Sequence, residues 1–182
     1  MRKITAGLHI SLDGVVESPD QWVFPNGYAN DEMQQAIGSD MAEADTMLLG
    51  RKTYQEFAAH WPRQEGDIAN YMNSTAKLVV STTLDKAEWR NSTLIRDDVV
   101  AELSRQKQQP GRNLNVVGSI TLVRSLLREG LLDELSLFLC PIVVGDGKRL
   151  FDGVNGPRPM RLADARTFTT GVQWLTYRPK DS

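Results

Sequence analysis

The chain has 182 residues, of which 41% are hydrophobic and 24% charged, with a formal net charge of −2. That is enough chain for one domain with a sizeable core, and the balance excludes wholesale disorder. The slight negative charge excludes a general attraction for nucleic acid or anionic membranes, so any anion the protein holds must be gripped locally.

The N-terminus passes directly into an alternation in which Ile4, Ala6, Leu8, Ile10 and Leu12 share one face, which predicts a strand. No signal-peptide apolar stretch precedes it. Asp13-Gly14 supplies a turn, and a loop rich in turn formers runs through residues 18–27. Near Asn30 a helix begins, with Met33, Ile37 and Met41 on one face and Asn30 or Asp31 as its cap. Residues 46–49 read as a short buried strand, residues 53–61 as a helix stopped by Pro62, and residues 77–81 as a further strand.

The second half keeps the rhythm. Residues 99–107 suit a helix, broken at Pro110-Gly111, and residues 114–117 a strand. Ile120, Val123, Leu126 and Leu127 form an apolar stripe opposite Arg124 and Arg128, and Gly130 ends that helix. Residues 135–144 read as a long strand, and residues 168–177 as an antiparallel final strand or hairpin arm. Strands alternating with helices predict a single domain over residues 1–182. Its fold class is α/β, a three-layer α/β/α sandwich around a mostly parallel central sheet with an antiparallel C-terminal strand. The single cysteine, Cys140, lies in an apolar run and reads as a buried small hydrophobe; it fits a reducing compartment, so the expected location is the cytoplasm.

Two segments suit phosphate groups. In Leu48-Leu49-Gly50-Arg51-Lys52-Thr53 a buried strand runs through glycine into a helix, whose free N–H groups and dipole favour an anion. Arg51 and Lys52 add positive charge there. Val116-Val117-Gly118-Ser119-Ile120-Thr121 repeats the pattern with two hydroxyls. Either glycine alone is equally well an ordinary strand-to-helix turn. Two such turns at the carboxyl ends of sheet strands favour a ligand site. Neither matches G-x-G-x-x-G or the P-loop, which disfavours the ordinary dinucleotide and P-loop folds. His9 and His60 belong to no metal-spacing motif and read as structural, so no metal site is expected. No nucleophile elbow is present.

The series of motifs resembles the dihydrofolate-reductase-like superfamily. Within it, the chain is most similar to the C-terminal reductase domain of the riboflavin-biosynthesis deaminase-reductase. The matching residues are Ser11-Leu12-Asp13-Gly14, the Gly50-Arg51-Lys52-Thr53-Tyr54 segment, Ser81-Thr82-Thr83-Leu84 and Val117-Gly118-Ser119. Gly130-Leu131-Leu132-Asp133-Glu134-Leu135 follows, leading to Pro141 and then Gly145-Asp146-Gly147-Lys148-Arg149-Leu150-Phe151.

The resemblance implies an NADPH-dependent oxidoreductase passing a hydride to a C=N or C=O group of a small heterocycle, as in 5-amino-6-(5-phosphoribosylamino)uracil reductase. Dihydrofolate reduction and a non-catalytic nucleotide-binding role are the alternatives. By position, Ala6 and Gly7 would lie beside the nicotinamide, and Gly50, Arg51, Lys52 and Thr53 would hold the phosphate side of the cofactor. Ser81 and Thr82 would meet the 2′-phosphate, and Gly118, Ser119, Ile120 and Thr121 the pyrophosphate. Dihydrofolate reductases carry Gly-Gly where this chain has Gly118-Ser119, so their cis geometry is not assumed. For the substrate side, Asp31 and then Asp13 are the candidate catalytic acids, with Gln34 nearer the simple offset from Gly50. Asp31 is equally an N-cap residue and Asp13 equally a turn residue. Trp22 and Phe24 either stack on a flat substrate or pack their loop. Partners are a small-molecule substrate and, as in relatives, a second copy in a homodimer, with residues 135–144 a candidate contact.

Overall fold

The computed structural model describes residues 1–180. In chain order the elements are β1 (Ile4–Ser11), α1 (Asp31–Ala42), β2 (Ala44–Gly50), α2 (Arg51–His60), α3 (Asp67–Ser74), β3 (Ala76–Val80) and β4 (Ser92–Ile95). They continue with α4 (Val99–Gln108), β5 (Asn113–Val116), α5 (Ile120–Arg128), β6 (Glu134–Cys140), β7 (Met160–Thr167) and β8 (Gln173–Pro179). One eight-stranded sheet has the order β4-β3-β2-β5-β1-β6-β8-β7. The strands from β4 to β6 are parallel, and β8 and β7 add antiparallel at one end. This is the expected three-layer α/β/α sandwich. Among the described residues no helix is long and apolar enough to cross a membrane.

The alternation in β1 sends Ile4, Ala6, Leu8 and Ile10 to one face, where they pack with Leu103 of α4 and Leu122, Val123 and Leu126 of α5 in one continuous cluster. The opposite face is divided. One cluster lies under α1, around Met33, Ala36, Phe138 and Cys140. The other lies under α2 and α3, around Met47, Leu49, Tyr54 and Met72. Between them the strands present half-buried Thr5, Gly7 and Asn115, too small or too polar to continue a core.

Several boundaries differ from the sequence expectation. Helix α2 starts at Arg51, and Pro62 falls inside a 3-10 turn, Trp61–Arg63. Strand β6 ends at Cys140, not at residue 144, because Pro141 brings no N–H to the ladder. Residues 168–172 form the turn of a hairpin, where the Phe168 N–H donates to Val172 O at 2.8 Å, so there are two antiparallel C-terminal strands. β7 left no alternating pattern because Arg161 through Thr167 are all exposed. The short elements β4 and α3 also went unread.

Candidate functional site

The site begins where the sheet splits. β1 pairs with β5 only from Ile4 to Ala6, yet continues alongside β6 as far as Ser11. Beyond Ala6 its β5-side edge therefore has no strand partner among the described residues. The neighbours β1 and β5 also send their following helices, α1 and α5, to opposite faces. Such a switch point opens a crevice at the carboxyl edge of a parallel sheet.

Two strand-to-helix turns meet at this edge. A Cβ built on Gly50 would overlap Ser119 Oγ and stand 2.9 Å from Ser119 Cβ. One built on Gly118 would stand 2.9 Å from Thr53 Oγ1. The segments carrying Gly50, Arg51, Lys52, Thr53 and Gly118, Ser119, Ile120, Thr121 are thus in mutual contact. Gly118 (φ 67°) and Ser119 (φ 49°) are both left-handed, and among the described residues every peptide bond is trans. Neither α2 nor α5 has a side-chain cap, whereas Asn30 caps α1 and Asp98 caps α4. The N–H groups of Arg51, Lys52 and Thr53 and of Ile120 and Thr121 remain available to an anion, whereas Leu122 N donates to Ser119 O at 2.9 Å; the exposed Arg51, Lys52 and Thr121 side chains stand beside them. This chemistry fits the phosphates of a dinucleotide.

At the end of β3, Ser81 is buried and its hydroxyl accepts from Thr83 N (3.2 Å) and Leu84 N (3.0 Å). It holds the turn and retains only its own proton for a ligand, while Thr82 is exposed. Ala6 faces the α5 side and is buried; Gly7 faces the divided side and is half-buried.

The candidate acids have different fates. The Asp13 carboxylate accepts from Ser11 Oγ (2.7 Å), Val144 N (3.1 Å) and Gly145 N (2.9 Å), with Arg149 3.7 Å away. The Ser11 hydroxyl first, then the two backbone N–H groups, pull its pKa down to about 2. That engagement makes Asp13 a strut for the loop after β6 and a poor proton donor. Asp31 is exposed in the first turn of α1, where Asn30 already caps by accepting from Met33 N at 3.0 Å. Gln34 is exposed as well. Trp22 packs under α1 and donates to Glu17 O, while Phe24 is exposed.

The acid that stands beside β1 on the divided face is Asp40. A Cβ on Gly7 would have Asp40 Oδ2 as its nearest neighbour, at 3.9 Å. Desolvation, helped by Glu134 and Glu43, raises the Asp40 pKa to about 6. Sequence reading missed it, although Met33, Ala36 and Asp40 share a helical face and a carboxylate on an apolar stripe is a recognisable signal.

The fold and the paired turns define a dihydrofolate-reductase-like α/β protein with a crevice at the carboxyl edge of its parallel strands. Within that class, residues 2–175 match the RibD C-terminal domain, and the chain belongs to that family. The uncharacterized protein YyaP of Bacillus subtilis is 26% identical over 181 residues, covering 97% of this chain and 94% of YyaP. The crystal structure of a putative riboflavin biosynthesis protein from a Shewanella species superposes with a TM-score of 0.77 at 20% identity, covering 98% of this chain and 99% of that one. Dihydrofolate reductase from Enterococcus faecalis, solved with NADP(H), superposes with a TM-score of 0.65 at 14% identity, covering 98% and 97% of the two chains.

Proposed function

We propose that this protein is an NADPH-dependent reductase of a small organic substrate. The observation that carries the reading is the contact between two uncapped strand-to-helix turns at Gly50 and Ser119. Adjacent helix starts, each with unused N–H groups, suit two linked phosphates better than one isolated anion. Arg51 and Lys52 are the nearby cations for a further phosphate, which is the reason to prefer NADPH over NADH. NADPH, when bound, supplies a hydride from the nicotinamide ring.

The protein's own work is then positioning and proton control. Gly7 leaves room for a flat ring beside β1, and Asp40, protonated below about pH 6, supplies a proton at the half-buried Gly7 face. Membership of a reductase-domain family and the fold shared with an NADP(H) complex support the assignment.

Calorimetric titration of NADPH and NADH into the wild type and Arg51→Ala tests it. Tight NADPH binding that weakens about tenfold or more in the variant is expected, from the loss of a charge-assisted phosphate contact. Absence of binding by either nucleotide overturns the assignment.

A further inference from the structure

His9 follows Gly7 on the divided face of β1, about 6.6 Å further along the strand. Its ring lies against Phe138 with centroids 5.2 Å apart, and Phe138 stacks on Trp174 at 5.8 Å. The three are register partners across β1, β6 and β8. This row fixes the imidazole at the level where β1 has already lost β5.

The His9 side chain makes no hydrogen bond among the described residues. Its Nδ1 is buried and unpartnered, while the residue as a whole is only half-buried. The Nε2 edge is therefore the open one. A bare lone pair is the more tolerable group to bury, because orphaned buried N–H donors are the rarer exception. The unpartnered burial of Nδ1 accordingly favours the tautomer that carries the proton on Nε2, the open edge. Burial lowers the pKa to about 4, so the ring is neutral.

We propose that His9 is a catalytic hydrogen-bond donor whose Nε2–H receives the oxygen of a neutral carbonyl, and that carbonyl compounds are preferred over protonated imines. This rests on the reductase reading above. In the step, the carbonyl carbon gains the hydride and the bound NADPH is oxidised to NADP⁺. The C=O π pair moves to oxygen, and that oxygen takes a proton from Asp40, which solvent then restores. His9 keeps its own proton throughout and stabilises the charge developing on oxygen. A protonated imine offers an N–H where Nε2–H needs a lone pair, so the two donors oppose each other.

The chain has two histidines, which makes the test direct. Protein labelled with ¹⁵N-histidine, with His60→Gln for assignment, reports the tautomer of His9 at pH 7; the neutral Nε2–H form is expected. NADPH oxidation is then followed with benzaldehyde and with 2-methyl-1-pyrroline as probes. Benzaldehyde is expected to be reduced with the higher kcat/KM. His9→Ala should lower that value about 100-fold, the cost of one lost transition-state donor. His9→Gln should recover part of the loss, and NADPH affinity should hold within about twofold in both variants.

An Nδ1–H tautomer or an imidazolium at pH 7 overturns the proposal. So does a wild type that binds NADPH yet leaves benzaldehyde untouched or favours the pyrroline, or a His9→Ala protein with unchanged carbonyl kinetics. NADPH titration of the same samples separates the two readings: a wild type that binds none fails the reductase assignment itself. Should His9→Ala not fold, the tautomer and His9→Gln still decide.

Discussion

Gly50 and Ser119 approach so closely that a Cβ on the glycine would occupy the space of the serine hydroxyl. The ends of β2 and β5 are thereby locked side by side, and the two helix starts become one anion-binding edge. Gly50→Ala must push Ser119 aside, and Ser119 is already held at φ 49°. Overpacking of this kind costs about 1–3 kcal/mol. We expect a lower Tm together with at least a tenfold loss of NADPH affinity, read by thermal unfolding and calorimetry. Ser119→Gly, which suits the same left-handed backbone, should retain the fold. An alanine variant that binds NADPH like the wild type would separate the Gly50–Ser119 contact from cofactor binding.

Asp40 gives a prediction with a sign. Its folded pKa, about 6, lies above its ordinary value of 3.8, because desolvation and then Glu134 and Glu43 disfavour the charged form. The stability it contributes is complete below about pH 4 and is lost as pH rises through 6. Asp40→Asn removes a poorly solvated charge and should stabilise the protein at pH 8 by about 1 kcal/mol, after allowance for partial solvent screening. The same change should abolish any decline in kcat/KM as pH rises through 6. A variant less stable than the wild type at pH 8, or a pH–rate profile that keeps its decline, contradicts this role.

Much of this fold was legible in the sequence, for reasons visible in particular residues. Ile4, Ala6, Leu8 and Ile10 alternate because one face of β1 meets a continuous core. The turns at Gly50 and Gly118 were legible because both places demand a residue without a Cβ. What failed to show had no core to report. β7 is exposed along nearly its whole length, so no alternation marks it, and Ser92–Ile95 is too short to establish a period. In the site, Asp13-Gly14 looked like a turn or a cleft acid, and only the tertiary partners Val144 and Gly145 reveal a strut. Asp40 left a signal, a carboxylate on the helical face of Met33 and Ala36, whereas His9 owes its character to a buried, unpartnered Nδ1 that local sequence does not display.

The strut makes its own prediction. Asp13 ties the end of β1 to the loop following β6, and its pKa of about 2 lies below the ordinary 3.8, led by the Ser11 hydroxyl. Its stabilising contribution is thus present above about pH 4 and lost as pH falls through 2. Asp13→Ala should lower Tm at pH 7 and increase amide exchange at Val144 and Gly145. It should leave the shape of the pH–rate profile unchanged, since the group donates no proton. A changed pH profile with an intact loop would return Asp13 to the chemistry.

We propose that the protein is a homodimer and that β7 forms the contact. Sequence placed a candidate contact at residues 135–144, but β6 lies inside the sheet between β1 and β8, with both edges paired. β7 is the terminal strand: one edge pairs with β8, and among the described residues the other has no strand partner. An eight-residue edge strand of this kind is a template for another strand unless it is covered. Leu162, 53% exposed in its middle, is an apolar side chain that a second copy would remove from water. Light scattering should therefore give twice the 20.4 kDa chain mass, and Leu162→Lys should shift the population to monomer while leaving NADPH affinity unchanged. A wild-type monomer at micromolar concentration overturns the dimer, whereas a dimer indifferent to Leu162→Lys moves the contact away from β7.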